Sequence, residues 1–233
     1  MQKGKPVYQV FLQNSSNFFF GPGDVKFVDL NGDGELDAGS RLLDDHGDLE
    51  IIGNSTPRYE YGLRLGADYK GVDLSVFLQG VGSRQVWGDG FLAIPGYHSS
   101  DGAMPQAIAE DFWRPDRTDA FYPAPYNLNG TNNANNIQMQ SRYLLNMAYL
   151  RVKNITLGYS LPQQTLNHIM LKQARIYLSL ENFFTFDKLR GLPIDPEVIS
   201  GYSMFNETNY NLGRTGVGAP TFKSGSLGLQ ITF

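Results

Sequence analysis

The chain of 233 residues contains no cysteine. That removes thiol nucleophiles, disulfides and cysteine-ligated zinc together. Charge is also scarce: Asp, Glu, Lys and Arg make up 18% of residues and leave a net charge of −4. A nucleic-acid binder would show a basic patch or stripe, so no nucleic-acid partner is expected. No apolar run approaches the roughly 18 residues of a membrane-spanning helix. A spanning β-strand remains open, because it needs only about ten residues of alternating pattern. Met1 to Gln13 lack the apolar segment and cleavage site of a signal peptide. An exported protein with this beginning is expected to be a fragment or a truncated reading frame. Catalytic groupings are missing too. His46, His98 and His168 stand alone, no Gly-rich loop opens a helix, and no serine sits at a strand-to-helix elbow. Glu110-Asp111 reads as a solvated pair, and the chain is not expected to be an enzyme.

What is abundant is glycine, at 26 residues, and aromatic side chains, at 13%. That composition suits an all-β protein with many turns. From Arg58 the pattern sharpens. Tyr59, Tyr61, Leu63, Leu65, Ala67 and Tyr69 alternate with Arg58, Glu60, Gly62, Arg64, Gly66 and Asp68, the period of two of a strand with one apolar face. Lys70-Gly71 marks a tight turn, after which Val72, Leu74, Val76 and Leu78 carry the returning strand of a hairpin. Another strand covers 148–161. Its apolar residues change from even (Leu150, Val152) to odd (Ile155, Leu157, Tyr159, Leu161), which predicts a β-bulge at Lys153-Asn154. Pro162 ends it, and 163–173 reads as one or two helical turns. Ala174, Ile176, Leu178, Leu180, Phe184 and Phe186 mark a fourth strand. Leu227, Leu229, Ile231 and Phe233 mark a fifth, at the carboxy terminus.

Between the strands lie two long segments, 82–146 and 187–220, rich in Gly, Pro and Asn, with a short helix expected near Pro105 to Trp113. Their aromatics Trp87, Tyr97, Trp113, Tyr122, Tyr126, Tyr202 and Tyr210 could stack on sugar rings, pack against a partner or hold the loops together. Ahead of the strands, Asp29, Asn31 and Asp33 stand at the first, third and fifth positions of an EF-hand-like loop. Gly34 is sixth, Glu35 would offer its carbonyl and Asp37 is ninth. This spacing gathers oxygen donors for a calcium ion. The twelfth position is Ser40 rather than a bidentate acid, leaving Asp44, Asp45 or water to complete the shell. The other reading is an Asx-rich turn without an ion.

About five long strands joined alternately by short and long connections, with aromatics near the strand ends, point to an antiparallel transmembrane β-barrel segment. Short turns would face the periplasm and long loops the outside. The alternatives are a soluble sandwich, whose strands average about five or six residues, or more specifically a secreted calcium-binding β-domain that recognises glycans. The residues divide into 1–58, an extracellular loop region containing the Asp-rich loop at 29–40, and 59–233, the barrel strands. Five strands cannot close a barrel, so most strands and any plug domain would be absent.

An ordered series of motifs then strongly resembles the carboxy-terminal part of SusC/RagA-type TonB-dependent outer-membrane transporters. The series is Pro22 to Lys26, Asp29 to Asp37, Ile52-Gly53-Asn54, Tyr69 to Phe77, Trp113-Arg114-Pro115, Tyr149 to Tyr159 and Glu181 to Phe186. The resemblance implies a 22-stranded, plugged barrel in the outer membrane. It implies import of glycan oligomers or peptides, with TonB engaged through an amino-terminal part not in this sequence. The implied partners are outer-membrane lipid, a SusD-like surface lipoprotein over the outer loops, and the barrel-assembly machinery, which would read Phe233 as its signal. Ser40 departs from the family's loop, which commonly carries an acid there.

Overall fold

The computed structural model describes residues 21–88, 92–94, 105–125, 136–168, 170–197 and 221–233. Five long strands form one antiparallel sheet: β1 (Arg58–Tyr69), β2 (Val72–Ser83), β5 (Tyr149–Ser160), β6 (Gln173–Asp187) and β7 (Ser224–Thr232). They lie side by side in the order β1-β2-β5-β6-β7. Two short strands, β3 (Gln85–Trp87) and β4 (Leu144–Asn146), pair just beyond β2 and β5. The helices are brief: α1 (Gln106–Ala109) and α2 (Gln163–His168). α1 is shorter than the expected helix because its start is set by Pro105, which lacks a donor, and Glu110 already closes its last turn.

Each long strand carries the expected alternation, and the pairing register aligns the apolar residues into rows. Tyr69 faces Val72, which faces Tyr159, which faces Ile176. The next rows are Ala67, Leu74, Leu157, Leu178, Leu227 and then Leu65, Val76, Ile155, Leu180. Further along stand Leu63, Leu78, Val152, Phe184 and then Tyr61, Gly80, Leu150, Phe186. One face of the sheet is therefore continuously apolar, and among the described residues nothing packs on it. Leu65, Leu178 and Leu229 are 52%, 42% and 63% exposed. A sandwich would bury these residues under a second sheet.

The expected bulge is present. Phe77 and Leu78 are adjacent in β2, but their partners Asn154 and Val152 are separated by Lys153. Opposite Lys153, β6 adds a further residue, with Asn182 and Phe183 lying between Glu181 and Phe184. Asn182 takes a left-handed backbone, φ 55°, which Asn tolerates better than most residues. The β6 bulge escaped the sequence reading for a simple reason. Two accumulated insertions restore the original parity, so the apolar residues of β6 stay on even numbers throughout.

On the opposite, polar face, the Arg175 guanidinium binds both carboxylate oxygens of Asp73. This pair spans from β2 to β6 across β5, and it crosses above Gly158, where any Cβ would collide with both partners. The turns follow from local chemistry. Lys70 (φ 47°) and Gly71 (φ 83°) both take the positive φ of a type I′ hairpin turn, whose twist matches the strands. That turn, the α2 connection and the end of β7 all lie at one end of the sheet. The two long connections lie at the other end.

Candidate functional site

The described parts of the long connections pack into a core of their own. Ala93, Ile94, Ile108, Tyr122, Tyr143, Leu145, Met147, Leu189, Leu192 and Ile194 form one buried cluster beyond the strand ends. It draws on the described parts of both long segments, which together form a cap at that end of the sheet. Val25, Val86, Trp87 and Phe121 pack around it. Residues before β1 join through the Val25 amide, which donates to Asn136 Oδ1 (2.8 Å), and the Gln85 amide, which donates to Asn54 O (2.8 Å).

Three of the loop aromatics singled out in the sequence thus serve packing. Tyr122 is 3% exposed, stacks on Tyr143 and donates its hydroxyl to Ala93 O. Burial pushes its pKa up. It does the same more strongly at Tyr143, whose buried hydroxyl has no partner among the described residues. Trp87 tilts against Tyr143. Trp113 lies against Gly23, where a Cβ would strike its ring. Tyr97, Tyr126, Tyr202, Tyr210 and His98 lie outside the described residues.

In the Asp-rich loop each expected side-chain donor caps a backbone amide. Asp29 accepts from Gly32 and Gly34 (2.6 and 2.9 Å), Asn31 from Asp33 (3.0 Å), Asp33 from Glu35 (2.7 Å) and Asp37 from Gly39 (2.8 Å). Gly34, at φ 86°, makes the sharp turn. Among the described residues no three acidic or histidine side chains converge as a metal centre. Asp45 accepts from the amide of Ser40, and the Ser40 hydrogen bonds hold its carboxyl below the usual range. The residue that closes the loop is Asp48, which accepts from Leu30 (2.6 Å) and Asp37 (2.9 Å). Nothing in the spacing rule pointed to it, because it lies well past the twelfth position.

Among the described residues the most buried charge is Arg151 in β5, 4% exposed. Its guanidinium donates to Asp195 Oδ1 (2.7 Å), Glu197 Oε2 (2.8 Å) and Thr185 Oγ1 (2.9 Å). Lys153 Nζ donates to the same Glu197 oxygen at 3.0 Å. The Thr221 hydroxyl donates to Asp195 Oδ2. Burial raises the pKa of Asp195, but the hydrogen bonds from Arg151 and Thr221 outweigh it and leave the carboxyl below its usual value. At the opposite end of the sheet, Phe233 follows β7 and is 80% exposed, continuing the apolar row of Leu227, Leu229 and Ile231.

No protein-family model matches the chain. Over 91% of its length it is 28% identical to TonB-dependent receptor P3 of Formosa agariphila, covering 19% of that protein. TonB-dependent receptor SusC of Bacteroides thetaiotaomicron is 29% identical over 84% of this chain and 17% of its own. The chain therefore spans about a fifth of the length of these curated relatives. In three dimensions it superposes on part of the RagAB peptide importer in its closed-closed state. The TM-score is 0.53 at 23% identity, with coverage of 81% of this chain and 18% of that one. The superposition shows a shared fold, and the exposed apolar face is what a barrel wall presents to lipid. In sequence the chain is thus similar to one segment of TonB-dependent receptors, SusC among them, and its fold is shared with part of the RagAB peptide importer.

Proposed function

We propose that this segment supplies barrel wall and outer loops to a transporter that takes up nutrients across the outer membrane. The observation that carries the reading is the continuous exposed apolar face on five long strands, backed by a polar face of paired charges. On that reading the apolar face meets lipid, the polar face lines the lumen and the cap stands outside the cell. The cargo would be glycan oligomers or peptides, and a SusD-like lipoprotein would sit over the cap. TonB would act through another part of the receptor. The names of the relatives support this assignment, since they include both SusC and a peptide importer. The test is fractionation of cells making the full-length receptor, followed by uptake assays with labelled oligosaccharides and peptides. Heat-modifiable, detergent-extracted β-structure with energy-dependent uptake is the expected result. A water-soluble protein, or a membrane barrel without any such uptake, would overturn it.

We also propose that the Asp-rich loop takes calcium, through Asp29, Asn31, Asp33, the Glu35 carbonyl and Asp37. Support comes from the donor spacing and from the turn at Gly34. A carboxylate offers about four lone-pair sites, so capping an amide leaves sites for an ion. An ion bound by the folded loop alone raises the melting temperature with concentration. A melting curve unchanged between excess calcium and chelator would leave the hydrogen-bonded loop as the whole account.

A further inference from the structure

The motif Tyr149 to Asn154 does something the transport reading does not use. A regular strand would send its side chains alternately to lipid and lumen. The bulge breaks that rule and places Tyr149, Arg151, Lys153 and Asn154 all on the polar side. Were Lys153 to take an ordinary place in an unbroken alternation, the face that carries Ile155, Leu157 and Tyr159 toward lipid would carry Lys153 and Arg151 there as well.

We propose that Arg151 is a positioning residue, the hub of an ion cluster that fastens a strap, residues 188–197, to the inner wall at the outer mouth of the barrel. The guanidinium reaches four parts of the chain at once: its own strand β5, Thr185 of β6, Asp195 and Glu197 of the strap, and Thr221 just before β7. A planar fork of donors can hold two carboxylates and a hydroxyl in fixed directions, which an ammonium cannot. Lys153 adds a second cation to Glu197. The other end of the strap is secured separately. Leu189, Leu192 and Ile194 enter the cap core. Arg190 pairs with Asp111 (3.0 Å) and lies over the Phe121 ring.

The division of labour has a geometric consequence. Pro196 and Glu197 form one side of a recess of about 640 Å³, facing Glu60, Gln79 and Tyr149 on the wall. The apolar end joins the strap to the cap, while the ion cluster decides how far the strap stands from the wall. The inference rests on the chain being barrel wall, and transport is not scored in its test.

The test uses the full-length receptor, purified and also in native membranes, with heat-modifiability as the check on barrel folding. Variants are Arg151→Met, Arg151→Lys and the strap-side double variant Asp195→Asn/Glu197→Gln. Hydrogen exchange of residues 188–197 is expected to rise roughly tenfold or more in the Met and double variants, because a buried charge loses its partners. Arg151→Lys recovers part of the protection. Spin labels at Glu60→Cys and Pro196→Cys report the distance across the recess, which should be narrow in the parent and broad in Arg151→Met. Should Arg151→Met fail to assemble, the double variant, whose changes lie outside the strands, carries both readouts. Exchange within about twofold of the parent in the assembled variants, or an unchanged narrow distance, would overturn the proposal.

Discussion

A charge placed on the apolar face should cost free energy according to its depth, and β2 provides the series. Val76 lies midway between Val72, in the row of Tyr69 and Tyr159, and Gly80, in the row of Tyr61 and Leu150. Four residues at about 3.4 Å each put Val76 roughly 14 Å along the strand from either row. With a tilt of about 40°, that becomes roughly 10 Å along the membrane normal on each side, fitting an apolar band about 25 Å tall. Val76→Arg therefore sits near the midplane and should cost about 2–4 kcal/mol, while Val72→Arg at the turn end should cost at most about 1 kcal/mol. Ser75→Arg is the control. Ser75 is next in sequence but faces the polar side, opposite Gly66 and Thr156, so it should cost less than about 1 kcal/mol. The assay is reversible unfolding of the full-length receptor in lipid vesicles, followed by denaturant titration at equilibrium. Equal losses at Val72 and Val76 would refute the membrane placement, because a packed protein core penalises a charge without regard to depth. Equal losses at Ser75 and Val76 would refute the assignment of faces.

Three further outcomes follow from particular contacts. Gly158→Val should destabilise the receptor by about 1–3 kcal/mol, because a side chain there collides with the Asp73–Arg175 pair. In that background Arg175→Met should add little, and full additivity in the same titration would show the pair had survived. Asp195 has a lowered pKa when folded, so its contribution is complete above the unfolded value near 3.9 and is lost as pH falls through the lower folded value. Hydrogen exchange of 188–197 should therefore rise below about pH 4 in the parent, and Asp195→Asn should remove that step; a step retained in the variant would assign it elsewhere. Deleting Phe233 should lower the yield of membrane-inserted receptor without changing the unfolding midpoint of what does insert. Normal insertion would refute its role as an assembly signal.

The five strands were legible in the sequence because a strand with one apolar and one polar face must alternate along its whole length. The Lys70-Gly71 turn was legible because positive φ restricts residue choice, and the Lys153 bulge because one insertion reverses parity. The second bulge was invisible, since Asn182-Phe183 adds the insertion that cancels the reversal. The cap was also illegible as structure. Its core joins Ile94, Ile108, Tyr122, Tyr143 and Leu189 from segments far apart in the chain, and short-range periodicity cannot encode such a meeting. For the same reason Trp87 and Tyr122, candidates for ligand stacking on composition, turned out to be packing residues. Asp48 and Arg151 went unnoticed as single residues, since each acquires its role from partners brought in by the fold. What the amino-acid order determined by itself was the local, periodic part: strand, turn, bulge and the sidedness of the wall. Tertiary structure decided which loops share a core, which acid closes the Asp-rich loop and which cation holds the strap. Those outcomes depend on long-range contacts whose free energy exists only once the sheet has set their distances.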